Sequence, residues 1–75
     1  MFSEQKAENL FYFVEDCFEK VENNEDLTDK EIKKLGICFE RSLETDFENY
    51  FAKECLSEDL TYMFDYIIQE ANVCL

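Results

Sequence analysis

The residues best placed to do chemistry in this sequence are carboxylates. Residues 14–26 hold Glu15, Asp16, Glu19, Glu22, Glu25 and Asp26 against the single Lys20. Carboxylates at this density can work as acid and base in pairs, gather cations, or present anionic charge to a cationic surface. Catalysis lacks its other parts, because the chain has no histidine, no glycine-rich phosphate loop and no nucleophile elbow. A glycosidase-like carboxylate pair would further need a sugar-sized cleft, which a 75-residue helical chain is not expected to offer. The reading is a protein that is not an enzyme and carries no cofactor.

Metal binding is no better supported. Residues 26–35, Asp-Leu-Thr-Asp-Lys-Glu-Ile-Lys-Lys-Leu, look like the start of an EF-hand helix. A calcium loop with its central glycine and closing glutamate cannot be laid on residues 20–35, however, which leaves only weak, non-specific divalent binding to carboxylates. Cys17, Cys38, Cys55 and Cys74 are spaced 21, 17 and 19 apart with no Cys-x-x-Cys pair. Structural zinc sites draw on close pairs, and disulfides need an oxidising compartment that nothing here indicates. The four thiols are expected to be reduced and to serve as small buried apolar groups.

What is left is the charge itself. Nineteen acidic residues face seven basic ones, a formal charge of −12. Self-repulsion of that size opposes a compact state, keeps a protein soluble and steers it to cationic partners. Direct binding to double-stranded nucleic acid or to an anionic membrane surface is disfavoured, and a basic groove on another protein is favoured. The charge is unevenly placed: residues 1–26 carry eight acids and two bases, residues 27–44 four and four, residues 45–75 seven and one.

These groups must be held by a fold, and composition says one forms. At 75 residues the chain is a single domain, residues 1–75, with 47% apolar residues and eight Phe and four Tyr, well above a disordered acidic tail. No proline and one glycine, Gly36, leave little of the punctuation that hairpins need. The expected fold class is all-α, a small three- or four-helix bundle with short connections and antiparallel neighbours.

The first helix opens after Ser3 as N-cap, carries Ala7, Leu10, Phe11, Val14, Cys17, Phe18 and Val21 on one stripe, and ends near Glu22. The second starts at Asp29, where Thr28 and Glu31 can form a capping box and Leu27 can staple onto Ile32. Its stripe is Ile32, Leu35, Phe39 and Leu43, with Gly36 marking either a close crossing or a weak spot. Residues 45–48, Thr-Asp-Phe-Glu, repeat the capping pattern. Either the chain breaks near residues 43–45 and a third helix buries Phe47, Tyr50, Phe51 and Cys55, or one helix runs from 29 to about 55. Ser57, followed by Glu58 and Asp59, starts the last helix, with Leu60, Met63, Phe64, Ile67, Ile68 and Ala71 inward.

On the first helix Glu8, Glu15, Glu19, Glu22 and Asp26 recur three, four or seven apart and share the face opposite Val14, Cys17 and Val21. Like charges at i, i+4, as in Glu15/Glu19 and Glu22/Asp26, each cost about 0.2–0.5 kcal/mol. A surface selected for solubility alone would intersperse its signs. Phe2, Tyr12, Phe13, Tyr62 and Tyr66 are left over once the core stripes are filled, and rings flanked by acids suit an interface anchor. The candidate partner-binding set is therefore Glu8, Tyr12, Glu15, Asp16, Glu19, Glu22, Glu25, Asp26, Glu58, Asp59, Tyr62 and Asp65.

In size, charge and helical content, with the acidic segments 15–26 and 58–70 carrying the likeness, the chain resembles the small acidic inhibitors that phages use against host defence, including anti-CRISPR and anti-restriction DNA mimics. That resemblance implies a basic protein partner such as a nuclease, a stoichiometric mechanism and no catalysis. Two alternatives share parts of the logic: an immunity protein or antitoxin that covers a basic toxin, and an adaptor that holds a partner helix in its aromatic grooves with Lys30, Lys33, Lys34 and Arg41 at its back. A homodimer is the competing use of the surplus apolar surface. The N-terminal residues lack a basic segment followed by an apolar stretch, so a cytoplasmic protein is expected, in the host cell if phage-encoded.

Overall fold

Four helices account for most of the chain, and each is ended by a local device. In the computed structural model, which covers residues 1–75, α1 spans Glu4–Glu22, α2 Asp29–Ser42, α3 Thr45–Lys53 and α4 Ser57–Glu70, with no strand. Ser3 caps α1 by accepting from the Lys6 N–H at 3.1 Å. Thr28 and Glu31 form the capping box of α2: Thr28 Oγ1 accepts from the Glu31 N–H at 3.1 Å, and the Glu31 carboxylate accepts from the Thr28 N–H at 2.9 Å.

The C-termini of α1 and α3 close with the same paired bonds. Beyond α1, the Glu25 N–H reaches Lys20 O at 2.9 Å and the Asn24 N–H reaches Val21 O at 3.1 Å; beyond α3, Leu56 reaches Phe51 O at 2.8 Å and Cys55 reaches Ala52 O at 3.2 Å. Both are Schellman motifs, which require a left-handed residue between helix and loop. Asn24 and Cys55 supply it, each at φ 59°. Asparagine tolerates that conformation; cysteine is strained in it.

The fifteen buried residues are all apolar in character and form one cluster. α1 is its spine: nineteen residues rise about 28 Å, nearly the 32 Å length of the molecule. It touches all three other helices, most extensively α4. Ala7, Val14 and Cys17 of α1 are sealed from solvent, as are Leu35 of α2 and Ile67 of α4. Phe51 of α3 packs among Phe11, Phe47 and Tyr50 at centroid separations of 5.7–6.5 Å. Phe39 meets Phe64 edge-on at 5.2 Å and ties α2 to α4.

Several expectations need correction. The chain does break after Ser42, so α2 and α3 are separate, but the second Thr-Asp-x-Glu is not a cap. Glu44 occupies the N-cap of α3 without a side-chain bond, because bonds from Leu43 to Glu40 O and from Glu44 to Arg41 O make so tight a turn that Thr45 is already helical. Ser57 is likewise inside α4, whose N-cap is Leu56, again without a side-chain bond; the Schellman turn of α3 feeds directly into α4. That turn also carries Cys55 outward; Cys55, and Cys74 beyond the end of α4, are exposed while Cys17 and Cys38 are buried. Leu43 is 62% exposed, because the helix stops before its stripe position is covered. At Gly36 a Cβ would meet nothing within 4 Å, so the glycine marks no close crossing.

Candidate functional site

The acidic face of α1 forms only in part, and beside the buried stripe rather than opposite it. Glu8 and Glu15 are half-buried at the edge of the core, while Asp16, Glu19 and Glu22 are exposed. Asp26 is not on this face at all. α1 ends at Glu22, and Glu25 and Asp26 lie in the turn that follows, so the expected Glu22/Asp26 helical pair does not exist. The chain leaves the helix there because the Schellman bonds to Lys20 O and Val21 O use the last carbonyls.

Around Tyr50 the packing brings the predicted Glu8 together with Glu54 and Glu4, two carboxylates that the sequence reading passed over. Its hydroxyl donates to Glu8 Oε1 at 3.4 Å. Burial, followed by the nearby charges of Glu8, Glu54 and Glu4, raises the Tyr50 pKa above 10.0, so it stays a donor. Glu8, Tyr12, Tyr50 and Glu54 line a depression of about 260 Å³ between α1 and α3. Glu54 lies four residues after Tyr50, a helical neighbour the sequence could have indicated.

At the other end of α1 an aromatic cluster joins it to α4. Phe18 stands 4.9 Å from Tyr66 and 5.8 Å from Tyr62, and the two tyrosines are 6.2 Å apart. Burial, then the charges of Glu70 and Glu22, raises the Tyr66 pKa above 10.0. Glu58, Tyr62 and Asp65 share a shallow depression on α4, and Asp59 is exposed in its first turn. The structure thus places the candidate residues in two groups, one along α1 and its following turn and one along α4, with the Phe18 cluster between them.

Of the five aromatics expected to be surplus, two are. Tyr12 is 56% and Tyr62 61% exposed. Phe2 packs edge-on to Phe47 at 5.0 Å, Tyr66 joins the Phe18 cluster, and Phe13 is covered by Lys34 Nζ at 4.4 Å from its ring. Short helices of unequal length enclose more rings than their stripes alone would.

Charge compensation within the molecule is sparse. Lys20 pairs with Glu31 at 2.6 Å and Lys53 approaches Glu4 at 3.9 Å. None of the ten candidate acids takes part in an ion pair. No group of three or more His, Cys, Asp or Glu side chains is arranged to hold a metal ion. No helix is long and apolar enough to cross a membrane. Chemically the surface can offer unpaired carboxylates, hydrogen-bond acceptors and two exposed phenol rings. Comparison with protein-family models, with curated proteins and with solved structures finds no match to this chain.

Proposed function

We propose that the protein is a stoichiometric inhibitor that mimics nucleic-acid charge and blocks a basic nucleic-acid-binding protein of a host defence system, in the manner of an anti-CRISPR protein. The observation that carries this reading is the run Glu15, Asp16, Glu19, Glu22, Glu25 and Asp26, which no lysine or arginine of the molecule pairs with. One helical turn rises about 5.4 Å against one phosphate per about 3.4 Å of strand, so a helix face imitates phosphate density loosely. A Lys/Arg channel would accept that face, and like-charge repulsion along α1 would be relieved on docking. Tyr12 and Tyr62, exposed beside the acids, supply the rigid anchors that hold an interface once charge has steered it together.

The test is capture of a partner from a lysate, followed by assay of the captured protein's nucleic-acid binding or cleavage. Wild type inhibits, and inhibition weakens as salt rises. Glu15→Lys, Glu19→Lys and Glu22→Lys together abolish it. Inhibition unchanged by that triple reversal would sink the reading.

One observation favours a second use of the surface. A cleft of about 430 Å³ between α2, α3 and α4 has Phe39, Leu60 and Phe64 in its lining, with Leu43 at its edge. Capture that survives high salt would assign recognition to this cleft and make the protein an adaptor for a partner helix.

A further inference from the structure

On the side of α1 that faces α2, the sign of the surface reverses. A groove of about 440 Å³ is lined by Lys6 and Leu10 of α1, Lys34, Ile37 and Arg41 of α2, and Phe47 of α3, and no carboxylate lines it. In a chain with nineteen acids and seven bases, three converging cations without an acid are the exception. Ile37 is 54% exposed there, an aliphatic side chain that the core does not use. The groove is thus a cationic rim around apolar surface, and its complement is an acidic helix with an apolar residue projecting from it.

The molecule contains such a helix. α4 has Glu58, Asp59, Asp65 and Glu70 and no basic residue, and Tyr62 projects from it 61% exposed. Glu58, Tyr62 and Asp65, at i, i+4 and i+7, share one face. We propose that the groove receives α4 of a second copy, with Tyr62 against Ile37 and with Glu58 and Asp65 against Lys34 and Arg41. Because groove and α4 face are different surfaces, the contact is heterologous, and each copy can offer its groove to one neighbour and its α4 to another.

Net charge of −12 per copy opposes any such contact, and the range of that opposition depends on salt. At about 0.01 M the Debye length is about 30 Å, comparable to the 32 Å molecule, so whole-body repulsion dominates. At about 0.15 M it is about 8 Å, and the groove meets the α4 carboxylates with distant acids screened. At about 1 M it is about 3 Å, and the local pairs weaken as well. Association therefore passes through a maximum in salt, unlike partner capture by the acidic face, which only declines. Assembly covers Tyr62 and Asp65, so it would hold part of the proposed inhibitory surface in reserve; the inference itself is read on the protein alone and stands or falls independently of the partner.

Sedimentation velocity from micromolar to millimolar protein, with circular dichroism to verify folding, gives the test. Wild type associates most strongly near physiological salt. A groove variant, Lys34→Glu with Arg41→Glu, and an α4 variant, Tyr62→Ala with Asp65→Asn, each lower the association constant at least about tenfold, the loss of a charge-assisted contact. Mixed together, they restore a one-to-one heterodimer that grows no further, because one intact groove meets one intact α4. Should the groove variant misfold, Lys34→Gln with Arg41→Gln serves in its place. A wild type that stays monomeric at every salt concentration overturns the proposal, as does a mixture that stays monomeric. Self-association that persists in either variant also overturns it. So does a monomeric wild type whose Lys34 and Arg41 resonances shift only with an unrelated acidic peptide, which would make the groove a site for another protein.

Discussion

Lys20 Nζ lies 2.6 Å from Glu31 Oε2, so the last turn of α1 is tied to the carboxylate that also caps the first turn of α2. The hydrogen bond from Lys20 first, and that from the Thr28 N–H second, holds the Glu31 carboxyl below its ordinary 4.5. The same bond raises Lys20 above 10.5. A carboxyl with a depressed native pKa contributes stability that is present above its unfolded value and lost as pH falls through the native one. Glu31→Gln is therefore expected to destabilise the protein at neutral pH, with its deficit closing as pH drops below 4.5. Lys20's share is lost only as pH rises past 10.5. Thr28→Ala removes the neutral part of the cap and costs about 1 kcal/mol. Urea titrations of the variants across this pH range measure both.

The unpaired face of α1 makes a prediction about stability as well as function. Glu15 and Glu19 repel at i, i+4 with about 0.2–0.5 kcal/mol, and Glu22 sits in the last turn, where the helix dipole favours a cation. Reversing Glu15, Glu19 and Glu22 to lysine should raise the melting temperature at low salt, and the gain should shrink as salt screens the wild type's repulsion. Thermal melts at two salt concentrations decide it. A lower melting temperature would mean that the acids have native partners, and the case for a surface held at a cost to the fold would fail.

Cys55 occupies the left-handed position of the α3 Schellman motif at φ 59°, where glycine is unstrained. Cys55→Gly relieves strain of about 1–3 kcal/mol and gives back about 0.4–1 kcal/mol in unfolded-chain entropy. The expected net gain is about 1 kcal/mol, or about 4–8 °C for a domain of this size. Cys55→Ala keeps the strain and should melt as wild type does, which separates the backbone effect from loss of the thiol.

Leu43 and Phe51 give the sharpest contrast between pattern and packing. Phe51 is 1% exposed and Leu43 62%. Phe51→Ala opens a cavity and costs about 3–5 kcal/mol, enough to unfold a domain this small, whereas Leu43→Ala should change stability by no more than about 0.5 kcal/mol. Chemical denaturation at neutral pH compares the two. A large loss at Leu43 would mean that this side chain is covered by something, a second copy included.

Much of the architecture was legible in the sequence because helices are local objects. The Ser3 cap, the Thr28/Glu31 box, the α1 stripe from Ala7 to Val21 and the inward residues Leu60, Met63, Phe64 and Ile67 follow from bonds and periodicities within a few residues. The density of carboxylates in residues 14–26 is likewise a property of the chain alone. Other features depend on partners distant in sequence or on how one turn delivers the chain to the next. Leu43 and Cys55 fall at apolar stripe positions and point outward, because the helices stop before those positions are covered. Phe2 and Phe13 look surplus on their own helix and are covered by Phe47 and Lys34 from others. Glu4, Glu8 and Glu54 converge on Tyr50 only after α3 packs on α1. The sequence by itself determined that three or four amphipathic helices form and, with nineteen acids against seven bases, that much of their charge is left unpaired, since periodicity, capping and composition are short-range. Only the tertiary structure decided which acids stand bare, which rings stay exposed and where the few cations gather, because burial and charge pairing depend on how the four helices meet.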